Sequence, residues 1–385
     1  MQPYNKKEED AVMGLLRTSL LAVLSCTVMS VQADVDKKLY KKRTMGLDLQ
    51  VRDGLGPTPV NSFDPVNTKS IEKGKKEDLK KYFDFPENMS AVVLKDGKLV
   101  YERYNEKRGF DDKFLAHGMS MTKTAVGLVI GHLLCDGKIS SLDDAMGKYS
   151  NGLASSVYKD VTIKNVLRMA SGVNENRDNE QGFNQTLRNR FQDGSNDQLK
   201  VIQSVKTKYS DQGKDSRYHT LDVTAASVLV NEITGKSVDA IFYDKIYSQI
   251  GPEDKMVWWA DKNGNSLGMS GLNMTTRDWA RLGQYMVDEI QVDSCIGKYL
   301  KDGLDNAIKT TARDYQKYGY FFWVSKIGGK QVIVLTGKGG QVMIPNHYNN
   351  SVAVVISASN FNYKKKHLLK EVMPSVTKKF GKMGF

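Results

Sequence analysis

Strand-forming sequence lies at the two ends of this chain, with helix-forming sequence between. Near residue 90, Ala91-Val-Val-Leu94 and Lys98-Leu-Val-Tyr-Glu-Arg103 flank Lys95-Asp-Gly97. Asp-Gly between two such runs predicts a hairpin. Strand patterns return only late, at Tyr318–Val324, Gln331–Leu335, Gln341–Ile344 and Val352–Ile356. Between them the apolar spacing is mainly helical. Thr122 to Cys135 is almost wholly apolar, Val161–Met169 has helical period, and Leu221–Thr234 is followed by Gly235 as a C-cap. A helix from Thr276 to Val287 is opened by threonine. An amphipathic helix from about Lys364 to Phe380 closes the chain. The pattern predicts an α/β (α+β) fold: one sheet built from both ends of the domain, with a mostly helical subdomain at about 140–300 inserted. A polar, lysine-rich arm over 34–85, with a short helix near Lys75–Phe83, precedes a domain over 86–380.

Ser120-Met-Thr-Lys123 lies at the mouth of the Thr122–Cys135 segment. Residues three apart on a helix share a face. A serine hydroxyl is a poor nucleophile at neutral pH, and a lysine amine with its charge suppressed can take the proton. The same spacing recurs at Ser70–Lys73, Ser156–Lys159 and Ser375–Lys378. Those copies lie in a charged run, a turn-like segment and the lysine-rich tail. Only Ser120 opens an apolar helix, behind Gly118, which is expected to let the chain turn sharply.

At 385 residues the chain can bury one large core or two modest ones. The net charge of +12 is spread as scattered lysines. Such a balance allows association with an anionic envelope surface, and a solubilising surface is the plainer reading. No nucleic-acid-binding motif is present, so no nucleic-acid partner is expected. Arg17 followed by the apolar stretch to Ala33, with Val31-Gln-Ala33 as a small-x-small site, predicts a signal peptide over 1–33. The stretch is shorter than a comfortable membrane span. Glu8, Glu9 and Asp10 are unusual ahead of such a segment, which makes Met13 an alternative start. The expected location is the periplasm or outside the cell, with membrane anchoring if the segment is not cleaved. Cys135 and Cys295 would remain after cleavage. Cys135 reads as a small buried hydrophobe, and one bridge between the two stays open as an alternative. The histidines do not cluster with other ligand types, and no zinc or phosphate-cradling motif is found. No cofactor or metal is expected.

Several separated motifs occur together in one order. They are Lys95–Glu102, His117-Gly-Met-Ser-Met-Thr-Lys-Thr124, Asp136–Asp144, Val161–Gly172, Arg217-Tyr-His-Thr220, Gly271–Gly283 and Gly337-Lys-Gly-Gly-Gln341. This set, over roughly 86–375, resembles the penicillin-recognising serine hydrolases. Within them it is most similar to the class C β-lactamase branch that includes 6-aminohexanoate-dimer hydrolase and related esterases. The resemblance implies a β-lactamase/transpeptidase-like fold whose sheet is antiparallel and flanked by helices. It implies Ser120 as nucleophile, Lys123 as its base and Tyr218 as a second proton-transfer group. It implies an oxyanion and substrate-binding region formed by the N–H of Ser120 with Lys338, Gly339, Gly340 and Gln341, the backbone N–H coming from Gly340 or Gln341. Thr220 stands where class C enzymes usually carry asparagine, which favours ester or amide cleavage over penicillin hydrolysis. The expected substrate is a small-molecule or short-peptide amide or ester. A β-lactamase or D-alanyl-D-alanine carboxypeptidase is the alternative enzyme. A catalytically idle envelope binding protein is the alternative from another class. Trp258, Trp259 and Phe321–Trp323 read as core before cleft lining, and His117 and His219 as scaffold. Nothing in the sequence sets an oligomeric state.

Overall fold

The computed structural model describes residues 60–86, 88–174, 197–310 and 313–357. The segment expected as a signal peptide, residues 34–59 of the arm, and the helix expected at Lys364–Phe380 lie outside the described residues. Twelve strands are formed among the described residues: β1 (Val60–Phe63), β2 (Asn88–Lys95), β3 (Lys98–Tyr104), β4 (Ala116–His117), β5 (Met256–Trp259), β6 (Leu272–Met274), β7 (Ile308–Thr310), β8 (Arg313–Tyr318), β9 (Trp323–Ile327), β10 (Lys330–Gly337), β11 (Gln341–Asn346) and β12 (Ser351–Ser357). The helices used below are α1 (Lys80–Phe83), α2 (Thr122–Cys135), α3 (Asn151–Ala154), α4 (Ile163–Leu167), α5 (Gln198–Ser204), α6 (Leu221–Thr234), α7 (Val238–Phe242), α8 (Thr276–Gln291) and α9 (Cys295–Asp305).

The larger sheet has the order β3-β2-β12-β11-β10-β9-β8-β7. The first hairpin therefore joins the C-terminal strands through β2 and β12, with Leu94 opposite Val352 and Val92 opposite Val354. All of its pairings are antiparallel, so the sheet built from both ends is present as expected. Asp96 and Gly97 turn the hairpin with φ of 50° and 73°, the left-handed pair that a two-residue turn requires. Helix α8 packs on this sheet against β2, β11 and β12. Its start is capped by the Thr275 side chain, which accepts from the Asp278 N–H.

A second, four-stranded sheet was not expected. Its order is β1-β5-β6-β4. Residues 60–63 of the arm thus form an edge strand, Val60 opposite Trp259 and Phe63 opposite Met256. The pairing partner is about two hundred residues away in sequence, so local pattern carries no sign of it. The inserted middle is accordingly not purely helical, since it contributes β5 and β6.

Three local expectations are corrected. The run Tyr318–Val324 is two strands joined by a tight turn, with Tyr318 paired to Trp323. The Gly319 N–H donates to the Phe322 carbonyl at 2.9 Å, and Phe321 takes φ of 58°. Phe321 and Phe322 fold inward and are buried; their β propensity masks the turn. The helix expected at Lys75–Phe83 is confined to α1. Cys135 is not an isolated buried hydrophobe: it is disulfide-bonded to Cys295, with Cα atoms 5.8 Å apart.

Helix α2 is buried almost all round, against α6, α7 and α9. Val126, Leu128, Val129, Ile130 and Leu133 are each at most 1% exposed. Burying each is worth about 2 kcal/mol, roughly 10 kcal/mol together. That burial fixes α2 as the rigid rod from which the residues at its N-terminal end project.

Candidate active site

Ser120 lies on one 3-10 turn, Met119–Met121, that runs directly into α2. The chain enters this turn from β4, which pairs with β6, and the Gly118 N–H donates to the Leu272 carbonyl at 2.9 Å. The reversal falls on Met119, at φ of 50°, whereas Gly118 has an ordinary φ of −68°. Gly118 was expected to supply the turn; it supplies space instead. A Cβ there would stand 2.2 Å from the Trp279 ring. A non-glycine residue held in the left-handed region costs about 1 kcal/mol or more and marks a constrained point of the backbone.

One helical turn on, Lys123 is 2% exposed. Its Nζ donates to Ser120 Oγ at 3.1 Å and to the Met269 carbonyl at 2.5 Å. Both acceptors are neutral oxygens. Lys123 Nζ also stands 5.4 Å from the centre of the Tyr218 ring. Tyr218 is half-buried, stacks on Trp323 at 5.1 Å and meets Tyr318 edge-on at 5.7 Å. Ser120 and Lys123, neighbours on one helical turn, thus meet Tyr218, which comes from a distant part of the sequence. The copies at Ser70 and Ser156 have no such setting: Ser70 lies in an irregular segment, and the Ser156 hydroxyl donates to the Leu153 carbonyl at 2.8 Å. Ser375 lies outside the described residues.

Thr220 holds the N-cap position of α6 without using its side chain as the cap. The adjoining His219 is buried, with Nε2 3.1 Å from Asp222 Oδ2. The other oxygen of Asp222 accepts from the Tyr158 hydroxyl at 2.8 Å. Asp222 is fully buried in the first turn of α6 and ties down the segment that carries Tyr218. Sequence reading missed it, because an aspartate early in a helix looks like an ordinary first-turn residue.

The third motif forms the hairpin turn between β10 and β11. Gly339 and Gly340 have φ of 92° and 95°, and the Gly340 N–H donates to the Gly337 carbonyl at 3.3 Å. Lys338 is exposed on this turn. Gln341 is fully buried; its Oε1 accepts from the Ser357 N–H at 3.3 Å, so its side chain braces the end of β12. The residue that meets the Ser120 turn is Gly337, outside the expected 338–341 set. A Cβ on Gly337 would lie 2.4 Å from the Gly118 carbonyl oxygen and 2.8 Å from the Met119 Cβ. In the sequence it opens the third motif, Gly337-Lys-Gly-Gly-Gln341, without being among the residues expected to form the site.

His117 is 1% exposed and stacks on Trp259 at 4.6 Å. Burial pulls its imidazole down to about 3, so the ring is neutral at neutral pH. Trp258 belongs to the core, donating its indole N–H to the Leu267 carbonyl at 3.0 Å. Among the described residues no group of three or more His, Cys, Asp or Glu side chains is arranged to hold a metal ion.

A family model for the beta-lactamases matches residues 87–373. The chain belongs to the beta-lactamase family. At family level that membership supports an amide- or ester-cleaving hydrolase. It is 22% identical over 236 residues to the 6-aminohexanoate-dimer hydrolase of Paenarthrobacter ureafaciens, across 60% of this chain and 59% of that protein. The chain thus matches about three fifths of the length of that relative. A solved structure from Bacillus anthracis, provisionally named a 6-aminohexanoate-dimer hydrolase, superposes with a TM-score of 0.69 at 18% identity, over 84% of this chain and 92% of its own. EstCE1, described as a hydrolase with promiscuous acyltransferase activity, gives a TM-score of 0.61 at 11% identity, over 77% and 96%. These structural likenesses establish the beta-lactamase/transpeptidase fold.

Proposed function

We propose that this protein cleaves a small amide or ester through an acyl-enzyme on Ser120. The observation that carries the reading is the 3.1 Å contact between Lys123 Nζ and Ser120 Oγ, with the lysine buried among neutral oxygens and the Tyr218 ring beside it. Lys123, as the neutral amine, takes the Ser120 proton while Oγ attacks the substrate carbonyl carbon. The carbonyl π electrons move to oxygen. Backbone N–H groups of Ser120 and of the Gly337–Gln341 turn stabilise that charge, a contribution worth about 3 kcal/mol per donor in comparable sites. The C–N or C–O bond then breaks, and the leaving amine or alcohol receives a proton from the Lys123 ammonium by way of the Tyr218 hydroxyl. Water adds to the acyl carbon by the reverse route, and Ser120 regains its proton.

Thr220, in place of the usual asparagine, supports general ester or amide cleavage ahead of β-lactam or D-alanyl peptide cleavage. Export is part of the proposal. The Cys135–Cys295 bridge supports it, since structural disulfides persist in oxidising compartments. The test is turnover of p-nitrophenyl acyl esters and short amides beside a chromogenic cephalosporin, using wild type and Ser120→Ala. Hydrolysis lost in Ser120→Ala supports the reading. Hydrolysis that survives the substitution rejects it, and faster turnover of the cephalosporin than of any ester or amide rejects the substrate class.

A further inference from the structure

We infer that His117 is a positioning residue for the lysine base, acting through Ser270 on the carbonyl that holds Lys123. The inference rests on the Ser120–Lys123 reading above and adds a residue to it.

Lys123 reaches Ser120 Oγ at 3.1 Å while held from the other side by the Met269 carbonyl at 2.5 Å. The position of that carbonyl therefore sets where the amine sits. Met269 belongs to a short loop whose ends are fastened. At one end Gly268 lies under α2 and α6, where a Cβ would stand 2.9 Å from Val126 and 2.3 Å from the Ser227 hydroxyl. At the other, the Leu272 N–H donates to Thr122 Oγ1 at 3.3 Å, and the Leu272 carbonyl accepts from Gly118. Between these ends the side-chain anchor is Ser270, whose Oγ lies 3.3 Å from His117 Nε2.

The chemistry of His117 selects the direction of that bond. The ring is neutral, buried and stacked on Trp259, and its Nδ1 is buried with no hydrogen-bond partner among the described residues. An orphaned N–H is rarer and more costly than an orphaned lone pair. The proton therefore belongs on Nε2, which donates to Ser270 Oγ. His117 is three residues before Ser120 on the same chain segment. One imidazole thus couples the strand that delivers the nucleophile to the loop that holds the base.

The test uses full-length protein carrying His117→Phe, His117→Gln, Ser270→Ala and the His117→Phe/Ser270→Ala pair. Steady-state kinetics on a p-nitrophenyl ester are read beside thermal unfolding. Phenylalanine keeps a ring on Trp259 and removes the donor, whereas the glutamine amide restores a donor near Nε2. Loss of this bond is expected to lower kcat about tenfold in His117→Phe and in Ser270→Ala, with KM changed less than about twofold. The pair should be no slower than the worse single variant, because both break one linkage. His117→Gln should recover most of kcat. Wild-type kcat in Ser270→Ala, multiplicative losses in the pair, or glutamine no better than phenylalanine would each overturn the inference. Ser270→Ala keeps the test decisive if His117→Phe does not fold. The underlying reading fails separately, by activity surviving in Ser120→Ala.

Discussion

Breaking the Cys135–Cys295 bridge should cost this protein much of its stability. The bridge joins the last residue of α2 to the first residue of α9, across a separation of 160 residues. Closing a loop that long removes chain entropy from the unfolded state worth about 5 kcal/mol at 25 °C in the chain-entropy account. Net stability of a folded domain is only about 5–15 kcal/mol, so the loss is a large share of it. It falls on the helix that carries Lys123 and against which the Ser120 turn is built. The assay is urea unfolding followed by tryptophan fluorescence, comparing the oxidised protein with Cys135→Ser/Cys295→Ser. With a urea slope near 3 kcal/mol per molar, the midpoint should drop by roughly 1–2 M. Thiol titration in denaturant provides the chemical check. The uncleaved chain holds three cysteines, so one thiol of it should react without reductant and three with it; cleavage after Ala33 removes Cys26 and lowers both counts by one. Equal thiol counts with and without reductant, or an unchanged midpoint in the double variant, would refute the reasoning.

Acid should destabilise the protein through buried His117 and half-buried His132 and His347. Burial lowers His117 to about 3, and His132 and His347 to about 4, from 6.5. Groups with depressed folded values supply stability that is present above pH 6.5 and lost as pH falls towards 3–4. Asp278, raised by burial to about 6, acts oppositely, as do Asp239 and Asp288, which burial also raises: their contribution is fully present below about pH 4 and is lost as pH rises through the folded values, so they offset part of the histidine effect. For fully buried His117 the loss is at most about 5 kcal/mol. Unfolding free energy measured from pH 7 to 4 should therefore decline, and a flat profile would contradict the assignment. Gly337→Ala should cut kcat at least tenfold while leaving the fold intact, because the new methyl meets the Gly118 carbonyl at 2.4 Å and displaces the Ser120 turn; wild-type kcat would show that the strand end does not govern that turn.

What could be read from the sequence was what neighbours along the chain determine. Asp96-Gly97 names its own turn, Gly235 ends α6 with φ of 67°, and the almost wholly apolar run from Thr122 matches a helix buried almost all round. The ordered motifs located Ser120, Lys123 and Tyr218, which the fold brings together. What stayed hidden was set by distant partners. Val60–Phe63 becomes a strand only because β5 lies beside it. The turn at Gly319–Phe322 sits inside a run of good strand formers and is fixed by burial of Phe321 and Phe322. Gly118 read as a turn glycine and Gly337 as part of a glycine-rich motif, yet each is required for space, beside Trp279 and beside the Ser120 turn. The bridge across 160 residues could be kept only as an open alternative, and the His219–Asp222 contact, though only three residues apart, is masked by the ordinary look of an aspartate in a helix's first turn.

The central claim is that Ser120 is the nucleophile and Lys123 its base. Its most direct test is intact-protein and peptide mass spectrometry after treatment with a fluorophosphonate, for wild type, Ser120→Ala and Lys123→Met. The account predicts one adduct, on the peptide containing Ser120, absent from Ser120→Ala and formed at least a hundredfold more slowly in folded Lys123→Met, on the order expected for loss of a general base. An adduct on another residue, or equal labelling of Ser120→Ala, would contradict it.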